Sequence, residues 1–222
     1  MRIFIGYDPR EAVSYHVASH SILRRSSIPV EITPLALVNL TGDFKRDRES
    51  LQSTDFSFTR FLVPHLCNYH GWAVFMDCDM LVRTDIAELG KMCNLANFYN
   101  SVYVVKHDYI PVDKDTKFLG EKQTPYQKKN WSSVMLFNNQ RCRGLTSEYV
   151  SKASGLDLHQ FKWTNQIGEL SKEWNHLVGE QEPNPEAKIV HFTRGGPWFK
   201  EYKDCEFSKE WFEEYENMSK PL

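Results

Sequence analysis

The sequence predicts an α/β fold with a parallel sheet, built as one domain of 222 residues. The first indication is the order of patterns at the amino terminus: an apolar run at 2–6, helical spacing over about 10–25, and a second apolar run at 30–37. Strand, helix and strand at this spacing form a βαβ unit with parallel strands. The second indication is an uncharged apolar run at 72–76, which is typical of a buried strand. A chain of this length can bury a substantial core, and it shows no internal repeat.

The composition excludes several classes of protein. Hydrophobic residues make up 41% and charged residues 25%, the ordinary balance of a globular protein. The net charge of −2 gives no basic field for nucleic acid. Five scattered cysteines without a CxxC pair indicate neither a disulfide framework nor a zinc site. Residues 1–6 have the pattern of a strand and not that of a signal segment, and no apolar run approaches the roughly 20 residues of a transmembrane helix. We therefore expect a soluble, cytoplasmic protein.

The remaining elements follow from apolar runs and helical spacing. Further strands are predicted at 101–106, 131–139 and 187–192, with a strand or turn at 174–179. Further helices are predicted from 58 to about 66 and at 145–154, 163–173 and about 206–218, and residues 82–89 are predicted to form a turn into a short helix. Polar loops are predicted at 39–57 and 107–130. The last helix is amphipathic, and its apolar stripe docks either on the protein's own core or on a partner or membrane surface, as a peripheral contact.

Two carboxylates, Asp77 and Asp79, stand at the carboxyl end of the strand at 72–76. They are costly to bury unless a positive group neutralises them. A divalent cation bound through oxygen, with a phosphate completing its shell, is one solution, and capping of a following helix is the alternative. In a parallel sheet ligands bind beyond the carboxyl ends of the strands, which places Tyr7 and Asp8 at the same edge. Asp8 is either part of this site or a turn residue before Pro9.

Arg60 stands in a mostly apolar helical segment and needs a partner. It forms either a structural ion pair or a bidentate contact with a diphosphate.

Several blocks, in this order, resemble the retaining glycosyltransferases of family 8, the glycogenin and lipopolysaccharide galactosyltransferase kind. The blocks are residues 4–8, 58–64, 74–82 with 85–89, 133–138, 164–166 with 173–175, and 189–192. The resemblance implies a GT-A (Rossmann-like) fold, in which a mixed, mainly parallel sheet is flanked by helices. It implies a nucleotide-binding half at about 1–82 and a sugar and acceptor half at about 83–200. The activity implied is transfer of a hexose or deoxyhexose from a nucleotide sugar to a hydroxyl of a glycan or polyol.

The resemblance also implies roles for single residues. Asp77 and Asp79 match the family's DxD motif and His191 matches its metal-ligating histidine, so the three would hold Mn²⁺ or Mg²⁺. An imidazole beside carboxylates favours Mn²⁺. Asp8 would bind the nucleotide base, with Tyr7 stacked on it. The donor implied is a UDP-sugar ahead of a GDP-sugar.

Three departures from the family's pattern change what is implied. Its Asn-Ala-Gly is Trp131-Ser132-Ser133 here, which alters the sugar pocket. Its Asp-Gln-Asp is Asn165-Gln166-Ile167, so Asn165 can bond a sugar hydroxyl and Gln166 is the group nearest the reacting face. Its last motif is one residue shorter and lacks a lysine, while the proline–tryptophan pair persists at Trp198.

The catalytic set implied is Arg60, Asn165, Gln166 and Arg194, and Trp198 joins the donor-binding residues. Arg194, in preference to Lys200, would supply the charge that the missing lysine gives to the leaving diphosphate. Retention implies same-face attack, whereas inversion requires a base, for which Asp108 and Asp157 are candidates. The stereochemistry, the sugar and the acceptor stay open. The alternatives are a catalytically weak nucleotide-sugar-binding module or a sugar nucleotidyltransferase.

Overall fold

The computed structural model describes residues 1–49, 52–95, 99–108 and 127–220. The strands are β1 (Arg2–Tyr7), β2 (Glu31–Ala36), β3 (Trp72–Met76), β4 (Met80–Val82), β5 (Val102–Val105), β6 (Val134–Asn138), β7 (Ile167–Leu170), β8 (His176–Leu177) and β9 (Ile189–His191). The α-helices are α1 (Ala12–Arg25), α2 (Val63–Leu66), α3 (Ala87–Leu95), α4 (Ser147–Lys152), α5 (Gly155–His159) and α6 (Ser208–Asn217). Most of the predicted loop at 107–130 lies outside the described residues.

A six-stranded sheet with the order β2-β1-β3-β6-β5-β7 forms the centre of the fold. The pairs β1–β2, β1–β3 and β5–β7 are parallel, and β6 is antiparallel to both of its neighbours. Every residue of β5 and β6 is buried, as expected for strands covered on both faces. The predicted α/β fold with a mixed, mainly parallel sheet is confirmed.

The carboxyl ends of β1 and β3 lie side by side, because Ile5 pairs with Met76 in a parallel register. A second sheet, with the order β4-β9-β8, continues from this edge. In it β4 and β9 are antiparallel, and Met80 pairs with His191. This register places the end of β9 beside the residues that connect β3 to β4.

The predicted helix at 163–173 is wrong. The chain instead forms β7, which pairs in parallel with β5, and then a 3₁₀ turn at Lys172–Asn175. Gly168 permits this pairing, because a Cβ at this position would lie 2.3 Å from the ring of Tyr103 on β5. The apolar residues of this segment have helical spacing by chance, and the segment pairs with β5 as a strand instead.

Three other boundaries differ from prediction. The turn and short helix predicted at 82–89 begin one residue later, because Val82 ends β4, and α3 extends to Leu95. Trp131–Ser133 is a 3₁₀ turn, so β6 begins three residues later than expected. The predicted helix from 58 is split into a 3₁₀ turn at Thr59–Leu62 and the single turn of α2, which has Pro64 in its first turn. Helix α5 was not predicted.

The amphipathic helix α6 docks on α1. Trp211 is 2% exposed and lies in a buried cluster with Val17 and Phe192. In the part of the chain that the structure describes, no helix has both the length and the hydropathy to cross a bilayer.

Glu214 anchors α6 through a buried carboxylate. His20 Nδ1 lies 2.5 Å from Oε1, and Arg25 Nη1 and Arg24 Nη1 lie 2.6 and 3.2 Å from Oε2. Glu214→Ala would leave these cations without their anion, so we expect it to lower the free energy of unfolding by about 2 kcal/mol and to speed proteolysis within α6.

The matched control for this prediction is Glu213→Ala on the same helix. The Glu213 side chain is 58% exposed and reaches Lys209 only at 3.9 Å, so we expect a change below about 0.5 kcal/mol. Urea denaturation measures both variants, and equal losses would contradict the anchoring role of Glu214.

Candidate metal centre

The connection between β3 and β4 presents two aspartates at the edge of the central sheet. Cys78 between them is fully buried and fixes the connection to the core. The backbone is held on both sides: Asp77 N donates to Ser133 O at 3.0 Å, and Phe192 N donates to Asp79 O at 2.9 Å. Both aspartates are therefore fixed by the strands around them.

The side chains of Asp77, Asp79 and His191 converge at this edge. One ligand atom from each lies within 4.8 Å of the others. His191 Nε2 lies 3.4 Å from Asp79 Oδ2 and 3.9 Å from Asp77 Oδ2. Two carboxylates and an imidazole suit a divalent ion such as Mn²⁺ or Mg²⁺. The structure brings together the three residues predicted as ligands, and metal binding itself stays a prediction.

The hydrogen bonding of His191 fits the role of a ligand. Its Nδ1 lies 3.1 Å from the side-chain oxygen of Asn175, which only accepts. In the tautomer with the proton on Nδ1, this contact is a hydrogen bond and the lone pair of Nε2 is available to a cation.

Arg60 occupies the other side of Asp77. Its Nη1 lies 2.8 Å from Asp77 Oδ1 and donates to Ser132 O at 3.0 Å. The guanidinium also lies between the rings of Phe56 and Phe75, at 5.3 and 5.0 Å from their centroids. Of the two alternatives for Arg60, the structure shows the ion pair, and it places this cation at the candidate site. Contact with a diphosphate stays a prediction.

Asp8 is a capping residue in this structure. Its Oδ1 accepts from Arg10 N and Nε at 3.0 Å, and its Oδ2 accepts from Arg10 Nη2 at 2.7 Å and from Asp55 N at 3.2 Å. Burial acts to raise the pKa of Asp8, but these hydrogen bonds outweigh it and hold the pKa below its ordinary value. Tyr7 packs edge-on against Tyr15 with 5.4 Å between ring centroids. The turn interpretation of Asp8 is thus observed, and base binding by Tyr7 and Asp8 stays a prediction.

Asn165 and Gln166 lie at the opposite edge of the sheet. They precede β7, whose first residue pairs with Val102 at the start of β5. Because β5 runs antiparallel to β6, and β6 antiparallel to β3, the start of β7 lies at the edge where β3 begins. The geometry gives no support to the predicted catalytic role of either residue.

Arg194 and Trp198 have partners on the side of the second sheet. Arg194 Nε lies 4.0 Å from Glu180 Oε1. Trp198 packs on Phe192 and on Trp211 of α6, with ring centroids 5.9 and 5.2 Å apart. Trp198 thus has an observed packing role, and donor binding by these two residues stays a prediction.

Comparison with solved structures identifies the fold. The chain is similar to the WbbM bifunctional glycosyltransferase (TM-score 0.67, 17% identity, 98% of this chain and 50% of that chain). It is also similar to the galactosyltransferase LgtC in complex with donor and acceptor sugar analogs (TM-score 0.61, 12% identity, 100% of this chain and 98% of that chain). The glycosyltransferase GlyE of Streptococcus pneumoniae matches with a TM-score of 0.63 and 13% identity, over 96% of this chain and 60% of its own. The fold is GT-A.

Comparison of sequences gives the family. The chain is 46% identical over 230 residues to Protein CDI of Arabidopsis thaliana, covering 99% of this chain and 87% of that protein. This chain belongs to the Protein CDI family. No protein-family model matches it.

Glu11 is a carboxyl group near the site that no sequence pattern indicates. It is 1% exposed, and its Oε1 has no hydrogen-bond partner among the described residues. Burial first, and then the charges of Asp79 and Asp8, raise its pKa well above the ordinary value of 4.5. In the sequence Glu11 resembles any acidic residue at the start of a helix, so no signal pointed to it.

The raised pKa of Glu11 makes stability depend on pH. Above pH 4.5 the unfolded chain loses this proton while the folded chain keeps it, so wild-type stability falls as the pH rises toward the folded-state pKa. Glu11→Gln carries no such proton, and its stability relative to wild type is expected to increase from pH 4 to pH 8. Urea denaturation with EDTA measures this difference, with the exposed Glu201→Gln as control. A difference that stays constant with pH would contradict the prediction.

Proposed function

We propose that this chain is a metal-dependent glycosyltransferase that transfers a hexose or deoxyhexose from a nucleoside diphosphate sugar to a hydroxyl acceptor. The observation that carries the proposal is the cluster of Asp77, Asp79 and His191 at the carboxyl edge of a GT-A sheet. The similar structure of LgtC contains donor and acceptor sugar analogs, and WbbM and GlyE are named as glycosyltransferases.

In this proposal Asp77, Asp79 and His191 hold the cation, with Mn²⁺ preferred to Mg²⁺ because of the imidazole. When bound, the cation neutralises the negative charge that develops on the leaving diphosphate. Arg60 adds a fixed positive charge beside Asp77, at 2.8 Å, and requires no reorganisation during the reaction.

Two aspartates, Asp108 and Asp157, are candidates for the general base of an inverting reaction, and they differ in their surroundings. Asp157 is ion-paired with Lys162 at 2.5 Å. Asp108 follows β5 at the edge that carries the metal centre, and it is exposed. Asp108 is therefore the first candidate if the configuration is inverted.

Donor hydrolysis tests the proposal without knowledge of the acceptor. The purified chain is incubated with Mn²⁺ and UDP-, GDP- or dTDP-sugars, UDP-sugars first, and the release of nucleoside diphosphate is followed. Release that EDTA abolishes supports the proposal. Tight, Mn²⁺-dependent donor binding with no release, even with added sugars or polyols as acceptors, would support the alternative of a nucleotide-sugar-binding module. Neither binding nor release would contradict both.

A further inference from the structure

Asn175 lies behind the candidate metal centre and is fully buried. Its Oδ1 lies 3.1 Å from His191 Nδ1. Its Nδ2 lies 2.8 Å from Ser133 Oγ, 3.2 Å from Asn130 O and 3.0 Å from His107 Nε2. The amide therefore joins four groups, from the turn before β6, the end of β5 and the end of β9.

These neighbours fix which way the amide points. The carbonyl of Asn130 can only accept, and the single hydroxyl proton of Ser133 is already donated to that carbonyl at 2.7 Å. Both groups require the amide NH₂ on their side. The opposite orientation would place the amide oxygen against two acceptors, and so Oδ1 must face His191.

The carboxylates on the other side of His191 favour the other neutral tautomer, with the proton on Nε2. Asp79 Oδ2 and Asp77 Oδ2 lie 3.4 and 3.9 Å from Nε2, where a proton would be stabilised by their charge. An Nε2 that carries a proton cannot bind a metal ion. The amide oxygen of Asn175 instead stabilises the tautomer with the proton on Nδ1, because it can accept a hydrogen bond from that proton.

We infer that Asn175 is a positioning residue of the metal centre: its amide, oriented by Ser133 and Asn130, holds the His191 proton on Nδ1 and leaves Nε2 as a ligand. The inference rests on the proposed function for its metal, but the tautomer that it assigns is a property of the metal-free protein.

The tautomer is tested first on the unmodified chain with EDTA. Two-dimensional ¹H–¹⁵N NMR of the histidine side chains, at a pH high enough for His191 to be neutral and with His191 assigned by its loss in His191→Ala, is expected to show a protonated Nδ1 and a bare Nε2. A proton on Nε2 with a bare Nδ1 would overturn the inference, and this measurement requires no variant at Asn175.

The effect on metal binding is tested with Asn175→Leu, which keeps the size of the side chain and removes both halves of the amide. We expect the proton to move to Nε2 in the NMR spectrum and the Kd for Mn²⁺, measured by electron paramagnetic resonance of free Mn²⁺, to rise about 10- to 100-fold. The control is Asn139→Leu, the same change at another fully buried amide, whose Nδ2 donates to His70 O at the opposite edge of the sheet. Its Kd for Mn²⁺ is expected to stay within about threefold of wild type.

The outcomes separate this inference from the proposed function. Wild-type Mn²⁺ affinity and an unchanged tautomer in Asn175→Leu would overturn the inference while the metal centre stands. An equal loss in Asn139→Leu would also overturn it, because the effect would then be general destabilisation and not loss of the contact with His191. Absence of Mn²⁺ binding by the wild-type chain, with His191 protonated on Nδ1, would contradict the proposed metal centre and leave the tautomer assignment supported.

Discussion

Asp79→Ala is expected to abolish the stabilisation that Mn²⁺ and UDP or GDP together give to the wild-type chain. Asp79 is 8% exposed and supplies one of only two carboxylates to the three-ligand cluster. A ligand at about 100 times its Kd stabilises the folded state by about 2.7 kcal/mol. For a domain of this size that corresponds to an increase in Tm of about 5 to 10 °C. The variant should show none of this increment, and donor hydrolysis should fall to background.

The control for Asp79→Ala is the removal of a carboxylate elsewhere on the surface. Asp204, with a side chain 87% exposed, meets this need, and Asp204→Ala should keep the full increment in Tm. Thermal unfolding of each variant with EDTA gives the baseline. An Asp79→Ala chain that kept the increment produced by Mn²⁺ and UDP would show that the metal binds elsewhere.

The two aspartates could be predicted from sequence because their signal is local. A charge-free apolar run that ends in two carboxylates is visible without any knowledge of the fold, and β3 and the Asp77–Asp79 connection were predicted in this way. No local pattern identifies His191 as a partner of these aspartates. Only the resemblance, and then the pairing of Met80 with His191, connects residues more than 100 positions apart.

Strand register is the information that the sequence lacks. Asn165 and Gln166 were matched by residue type to a family motif, but the pairing of Ile167 with Val102 places them at the far edge of the sheet. A shift of a few residues in an aligned block moves a side chain from one end of a strand to the other. Asn175, at the end of the 3₁₀ turn after β7, reaches the site instead. Its role depends on buried partners from separate parts of the chain, which no local pattern encodes.

Arg60→Met is expected to be the most destabilising of the changes considered. Arg60 is 6% exposed, and its Nη1 lies 2.8 Å from Asp77 Oδ1. Methionine keeps much of the apolar stem but leaves Asp77 without its cation, beside the second carboxylate of Asp79. Breaking a buried pair by removing one partner costs about 3–5 kcal/mol. Urea denaturation with EDTA measures this loss, and the exposed pair of Lys152 and Glu148 provides the control, since Lys152→Met should cost less than about 0.5 kcal/mol.

A double variant identifies the cause of that loss. If the unpaired charge of Asp77 causes most of the loss, the double variant with Arg60→Met and Asp77→Asn should lose less free energy of unfolding than the two single variants together. The difference should be about 1–3 kcal/mol. If the lost contacts with the backbone oxygens of Ser132 and Phe56 cause most of the loss instead, the two losses will add, and the ion pair will not be the reason for burying Arg60.

A bound cation supplies Asp77 with a second source of positive charge. Saturating Mn²⁺ should therefore recover part of the stability lost in Arg60→Met, and it should recover little in the double variant, which lacks the Asp77 carboxylate.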